Sequence, residues 1–203
     1  MSAIDWDEHY QSGTPPWETG QPSAELRRVV AQEGIQPGAA IDLGCGSGIN
    51  SVWLAHQGFD VTGVDFNRLA IMKARERAAA AGVRVNFVVA DLLDFPDGFG
   101  PFPFFLDRGC YHAVRAIDVK GYLRTLERIT AEGSIGLVLA GNAKETPPEG
   151  QGPPVVSEEE IRTELGSIFE ITHLREFRFD VNEQLGTAPL AWSCLLRRGK
   201  GAA

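Results

Sequence analysis

Apolar, β-branched runs recur along the chain at AAIDL (39–43), DVTGVD (60–65), VNFVVAD (85–91), FPFFLD (102–107) and SIGLVLA (134–140). Helical patterns separate most of them, and strands alternating with helices predict βαβ units and a parallel sheet. Residues 67–81 (NRLAIMKARERAAAA) are rich in helix formers, with Asn67 placed as N-cap, Gly82 as the stop and Met72 in the core by its spacing. Over 118–131 the residues Val119, Tyr122, Leu123, Leu126 and Ile129 repeat at helical spacing, so this helix turns one face to the sheet. Ser157 and Glu160 form a capping box with Val156 and Ile161 spaced for a hydrophobic staple, which starts a helix near 157. Beyond it, FEITHLREFRFD (169–180) and LAWSCLLRR (190–198) are two strands joined by the polar NEQLGT, an antiparallel hairpin at a sheet edge. Residues 11–22 and 141–156 are dense in Pro and Gly and are expected to be loops or lids.

Composition narrows the function. The 203 residues suffice for one domain, 1–203, with its own core, and 43% hydrophobic with 23% charged residues is a globular balance. A net charge of -8 opposes phosphate binding, so a nucleic-acid partner is not expected. The stretch MSAIDWDEHY has no apolar leader core and no run reaches about 18 apolar residues, which predicts a cytoplasmic protein without a membrane partner. Cys45, Cys110 and Cys194 are odd in number, far apart and without CxxC spacing, so they read as free thiols, and no metal site is expected.

The sharpest motif is Asp42-Leu-Gly44-Cys-Gly46-Ser-Gly48, a strand ending in three close glycines before a helix that begins near Ser47. Glycines permit positive φ and let a ligand lie on bare backbone. The third glycine falls one place early for a dinucleotide fingerprint, with Ile49 where it belongs, and no Tyr-x-x-x-Lys pair accompanies it, so an NAD-dependent oxidoreductase is disfavoured. Asp42 suits a ligand carrying an amine, Asp65 at the end of the second strand suits ribose hydroxyls, and Asp91 at the end of the third suits an adenine amino group. Their neighbours Phe66 and Leu92 join them as expected cofactor contacts.

With these residues the chain resembles the class I S-adenosylmethionine-dependent methyltransferases. That resemblance implies a Rossmann-like, doubly wound α/β fold of seven strands, mostly parallel with an antiparallel C-terminal hairpin, and S-adenosyl-L-methionine along the glycine turn. The segment Pro15-Pro16-Trp17-Glu18-Thr19-Gly20 and the Asp107-Arg108-Gly109 run further resemble small-molecule enzymes related to thiopurine S-methyltransferase. By that likeness residues 1–22 are an N-terminal lid, 141–156 a second lid loop, Trp17 packs on the cofactor and Arg108 faces the acceptor. The glycine loop departs from the nearest of those relatives, which carry a proline in it.

The expected reaction is in-line SN2 transfer of a methyl group to a small molecule, a thiol or similar soft nucleophile being favoured, by a monomer or weak homodimer. A thiol, with a reference pKa of about 8.5, needs only a nearby cation such as Arg108, whereas a phenol near ~10 wants a base such as His112. Asp107 is expected either against the cofactor sulfonium or holding Arg108. Tyr111 and Cys110 read as wall residues. An O- or N-methyltransferase of a phenolic or heteroaromatic metabolite is the first alternative, and a non-catalytic cofactor-binding module the second.

Overall fold

A computed structural model of the chain describes residues 6–11, 13, 15, 17–145, 154–181, 186 and 188–200. Its apolar runs pair as parallel strands: β1 (Ala39–Leu43), β2 (Asp60–Asp65), β3 (Asn86–Val89), β4 (Phe104–Arg108) and β5 (Ile135–Asn142). Then come β6 (Val155–Val156), β7 (Glu170–Arg178) and β8 (Leu190–Arg197). The order β3-β2-β1-β4-β5-β8-β7 makes a seven-strand path, with the two-residue β6 pairing onto β5 as an eighth. β8 runs antiparallel to both β5 and β7, so the expected hairpin closes one edge. Its connecting NEQLGT lies almost wholly outside the described residues.

Helices cover both faces. α2 (Ala24–Gln32), α3 (Ile49–His56) and α4 (Arg68–Ala81) lie on one, where Leu26, Val29 and Leu54 pack with Ala40, Val61, Phe104, Leu106, Leu137 and Leu139. On the other face α5 (Tyr111–Ile129) and α6 (Glu158–Glu164) bury Tyr122, Leu126, Ile129 and Ile161 with Ile41, Leu43, Phe105, Val138 and Ala140. Successive strand residues therefore serve opposite cores, which is why the strands read as continuous apolar runs. Gly136 makes room for Phe105, whose ring atoms lie 2.1 Å from where a Cβ would stand.

Local chemistry sets the helix starts. The Asn67 side chain accepts from Leu69 and Ala70, Ser23 caps α2, and Ser157 and Glu160 form the complete capping box. Three expectations need correction. The helix expected over 118–131 begins at Tyr111 and is kinked at Asp118 (φ -153°, ψ 87°), whose carboxylate accepts from the Gly121 N–H at 2.9 Å and so caps the second segment. Met72 is exposed, on the solvent side of α4. The two expected loops hold regular structure at their margins: α1 (Trp6–Gln11) ends at residue 11, β5 reaches Asn142, and β6 occupies 155–156, while 146–153 and Ser12, Thr14 and Pro16 lie outside the described residues. Among the described residues no helix is long and apolar enough to cross a membrane.

Candidate active site

Strand order reverses between β1 and β4, and in an open α/β sheet the crevice at such a switch point is where ligands bind. Here it is lined by Asp42, Gly44 and Gly46 from the turn after β1, by Arg108 at the end of β4, and by Trp17, Glu18 and Gln21 from the segment before α2. Gly48, Asp65, Phe66, Asp91, Leu92, Asp107 and His112 lie outside that lining.

All three turn glycines have positive φ: 64° at Gly44, 55° at Gly46 and 77° at Gly48. A Cβ at Gly44 would fall 2.7 Å from the Cys110 Cβ, and one at Gly46 would fall 2.8 Å from the Tyr10 hydroxyl. The bare backbone is thus pressed by the loop after β4 and by α1. Gly48 differs from expectation in purpose, since its Cβ would strike Ala74 and Phe87, so it lets α3 pack on α4.

The segment over the turn is held by residues with no motif of their own. Lys73 of α4 donates to the carbonyls of Tyr10 (2.8 Å) and Gly13 (3.0 Å), and the Asn67 amide donates to Asp7 at 2.7 Å. Trp17 packs edge-on against Trp6, His9 and Tyr10, and its indole N–H donates to the Tyr10 hydroxyl at 3.4 Å.

The carboxylates at the strand ends have separate environments. Asp42 is buried, accepts from the Ser51 hydroxyl at 2.6 Å, and its other oxygen has no hydrogen-bond partner among the described residues. Burial, with Asp107 and Asp65 nearby, pushes its pKa up to about 7. This acid with a free oxygen beside a glycine turn fits a cationic ligand. Asp65 accepts the backbone N–H groups of Gly46 and Asn67, both at 2.9 Å, and burial raises its pKa. Asp91 is exposed and accepts from the Leu93 N–H at 2.8 Å. Phe66, beside Asp65, is 55% exposed and stands edge-on to Trp6, whereas the Leu92 side chain is buried in the α5 core.

Asp107 is placed differently from both expected roles. It is fully buried and accepts from the N–H groups of Cys110 and Tyr111 at 3.0 Å and from the Tyr122 hydroxyl at 2.7 Å. Its carboxylate therefore caps the start of α5, and burial raises its pKa to about 6. Arg108, half-buried, donates to the Trp17 carbonyl at 3.3 Å and lies over the Phe179 ring at 5.1 Å. Burial lowers its pKa, opposed by Asp180, Asp42 and Glu18.

The base role expected of His112 does not fit its hydrogen bonding. The Gly141 N–H donates to His112 Nδ1 at 2.9 Å, which occupies the one lone pair a neutral imidazole offers and leaves its proton on Nε2. Burial and the Arg108 charge lower its pKa to about 4, so it stays neutral at ordinary pH. Cys110 cannot serve as a nucleophile either, because burial and the surrounding carboxylates push its thiol well above the usual range. Sequence reasoning missed Ser51, Lys73, Gly141 and Phe179, which act across the fold and carry no local signal.

Comparison with known proteins gives this arrangement a family context. The family model of thiopurine S-methyltransferase (TPMT) matches residues 1–193. Among curated proteins the chain is 31% identical over 169 residues to the 2-heptyl-1-hydroxyquinolin-4(1H)-one methyltransferase of Mycobacteroides abscessus, covering 83% of this chain and 74% of that protein. Among solved structures it matches one from work on conversion of a disulfide bond into a thioacetal group during echinomycin biosynthesis, with a TM-score of 0.83, 24% identity and coverage of 100% of this chain and 94% of the other. It also matches the Burkholderia thailandensis 1,6-didemethyltoxoflavin-N1-methyltransferase with bound 1,6-didemethyltoxoflavin and S-adenosylhomocysteine, at a TM-score of 0.71, 21% identity, and 97% and 86% coverage. At these identities the structural likeness is one of fold.

Proposed function

Because the chain belongs to the thiopurine S-methyltransferase family and so is an S-adenosylmethionine-dependent methyltransferase of small molecules, we propose that its acceptor is a nucleophile that ionises without help from the protein, a thiol above all. The observation that carries this reading is the Gly141 N–H bond to His112 Nδ1, which denies the imidazole nominated as base a free lone pair. Asp107 is equally unfit as a base, since three donors hold it at the start of α5. What the acceptor meets instead is Arg108, a cation whose burial strengthens its hold on an anion. A thiol with a pKa of about 8.5 supplies its own thiolate near neutrality under such a charge, while a phenol near ~10 does not.

When bound, S-adenosylmethionine supplies an electrophilic methyl carried on a sulfonium. The residues that would hold it are the Gly44 and Gly46 backbone, Asp42 for its cationic end, Asp65 and Asp91 for ribose and adenine, and the Phe66 and Trp17 rings beside them. The chain's remaining tasks are alignment and exclusion of water by the segment that Lys73 and Asn67 hold over the turn. The 31% identical hydroxyquinolone enzyme favours a second reading, an acidic N-hydroxyl on a heteroaromatic ring, which also needs no base. Rates with thiophenol and phenol across pH test the proposal. Thiol methylation is expected to follow the acceptor's own ionisation and exceed phenol methylation at least a hundredfold at pH 7. Comparable phenol turnover, lost in His112→Asn, would overturn it.

A further inference from the structure

The two oxygens of Asp42 are not equivalent. The residue is 2% exposed, and Oδ2 accepts from the Ser51 hydroxyl at 2.6 Å. Oδ1 has no partner among the described residues, yet it is not one of the side-chain atoms sealed from solvent. Asp42 lines the crevice with Gly44, Gly46 and Arg108, so Oδ1 is the oxygen left for a ligand there. Ser51, on the first turn of α3, is wholly buried and does not itself line the crevice. A buried serine inside a helix can turn its hydroxyl back to the carbonyl four residues earlier. For Ser51 that carbonyl belongs to Ser47, and it accepts from Arg77 Nε at 2.9 Å. The one hydroxyl hydrogen goes to Asp42 instead.

A hydroxyl that donates to a carboxylate does two things. It restrains rotation of the carboxyl group, which keeps Oδ1 turned to the crevice, and it favours the ionised form, which alone attracts a cation. The groups around Asp42 pull in both directions. Burial, Asp107 of β4 and Asp65 of β2 disfavour its charge, while Ser51 of α3 and Arg108 of β4 favour it, Ser51 more than Arg108. The thiols of Cys45 and Cys110 near it are kept neutral by burial, and Glu18 shares the crevice lining. Resting on the assignment of Asp42 to the cationic end of the cofactor, we propose that Ser51 is a positioning residue for cofactor capture, whose hydroxyl holds the Asp42 carboxylate ionised and oriented with Oδ1 toward the crevice.

Calorimetric titration of S-adenosylmethionine into wild type, Ser51→Ala and Asp42→Asn from pH 6 to 8.5 tests this. Alanine removes one oxygen and is the better helix former, so α3 is kept. Loss of the charge-assisted hydrogen bond should move the midpoint of the pH dependence of Kd up by about one unit. Ser51→Ala should therefore bind about tenfold more weakly than wild type at pH 6 and within about twofold of it at pH 8.5. Any titration of the cofactor's own amine cancels in that ratio. Ser51→Thr, which keeps the hydroxyl, should restore the wild-type midpoint. A merely structural serine would weaken binding by one factor at every pH. An affinity ratio that does not vary with pH, or a Ser51→Ala profile matching wild type while Asp42→Asn loses its slope, overturns the role of Ser51 and leaves that of Asp42 standing. If Asp42→Asn binds like wild type at every pH, the assignment of Asp42 fails and the role of Ser51 with it. Should Ser51→Ala fail to fold, Ser51→Cys, a weaker donor, should raise the midpoint in its place, and an unshifted midpoint there overturns the proposal.

Discussion

Replacing Asp107 separates an architectural carboxylate from one that meets the cofactor. The folded protein holds this acid at a pKa of about 6 against an ordinary 3.8, because burial outweighs the three hydrogen bonds it accepts. That gap corresponds to ~3 kcal/mol of disfavour for the charged form. Between the two values the folded state binds more protons than the unfolded one. The group's favourable contribution is therefore complete below 3.8 and is lost as pH rises through about 6. Asp107→Asn keeps one oxygen for the Cys110 and Tyr111 N–H groups, and the Tyr122 hydroxyl can turn to accept from the new amide. We expect Asn to lie within ~1 kcal/mol of wild type at pH 7.5 and to fall behind it by ~2 to 3 kcal/mol at pH 4.5, where wild type has taken up its proton. Loss of the Asp107 charge also eases the ionisation of Asp42, which acts in the same direction. Asp107→Ala strands three donors and should cost ~3 kcal/mol or more at either pH. Urea unfolding at both pH values, with calorimetric titration of S-adenosylmethionine, measures these outcomes. If Asp107→Asn weakened cofactor binding more than tenfold while unfolding like wild type at both pH values, the carboxylate would belong to the cofactor and the reasoning would be wrong.

Gly46→Ala sets a methyl group 2.8 Å from the Tyr10 hydroxyl at a φ of 55°. It should destabilise by ~3 kcal/mol, and adding Tyr10→Phe should return ~1 kcal/mol of that in a double-mutant cycle; strict additivity would mean that α1 is not seated on the turn. Arg108→Met should lower kcat/KM for thiols by ~10- to 100-fold, the worth of a charge-assisted hydrogen bond. It should leave the affinity for the cationic cofactor unchanged or tighter, and a loss confined to cofactor binding would contradict the role proposed for it toward the acceptor. Asp42, protonated more easily than an ordinary acid, must give up its proton to meet a cation. The Kd for S-adenosylmethionine should therefore rise as pH falls from 8 to 6, by up to ~10-fold per unit below about 7. Titrations in buffers of different ionisation enthalpy read the released proton, and Asp42→Asn should abolish the slope.

Where local chemistry decides an element, the residues announced it. The five parallel strands follow from apolar runs buried on both faces, and Asn67 and the Ser157–Glu160 box fix helix starts through bonds made within four residues. The first segment of α5 was hidden because its start depends on Asp107 and its packing on Glu164, which accepts from the Tyr111 hydroxyl at 2.6 Å and pairs with Arg115. The protonation state of His112 was hidden for the same reason, its partner Gly141 being 29 residues away. Gly44 and Gly46 were legible as special backbone, but what presses on them, Cys110 and Tyr10, comes from other parts of the chain.

The reading of Asp107-Arg108-Gly109 as one unit fails on a single residue of strand length. With the strand ending at 107, acid and base share a loop and can pair. β4 instead runs through Arg108, and neighbouring strand residues face opposite sides of the sheet. Asp107 then falls on the side of Ile41, Phe105 and α5, where it accepts from Tyr122, and Arg108 falls on the side of Phe104 and Leu106, over Phe179. Asp42, opposite Leu106 in the register, lies on that second side with Ser51 of α3. Alternation thus keeps Arg108 from being neutralised by its own neighbour in sequence. Its only side-chain hydrogen bond among the described residues goes to the Trp17 carbonyl, an uncharged acceptor at 3.3 Å. A guanidinium so placed still has donors for an anion, and for that reason an acceptor that arrives already ionised needs no base in this site.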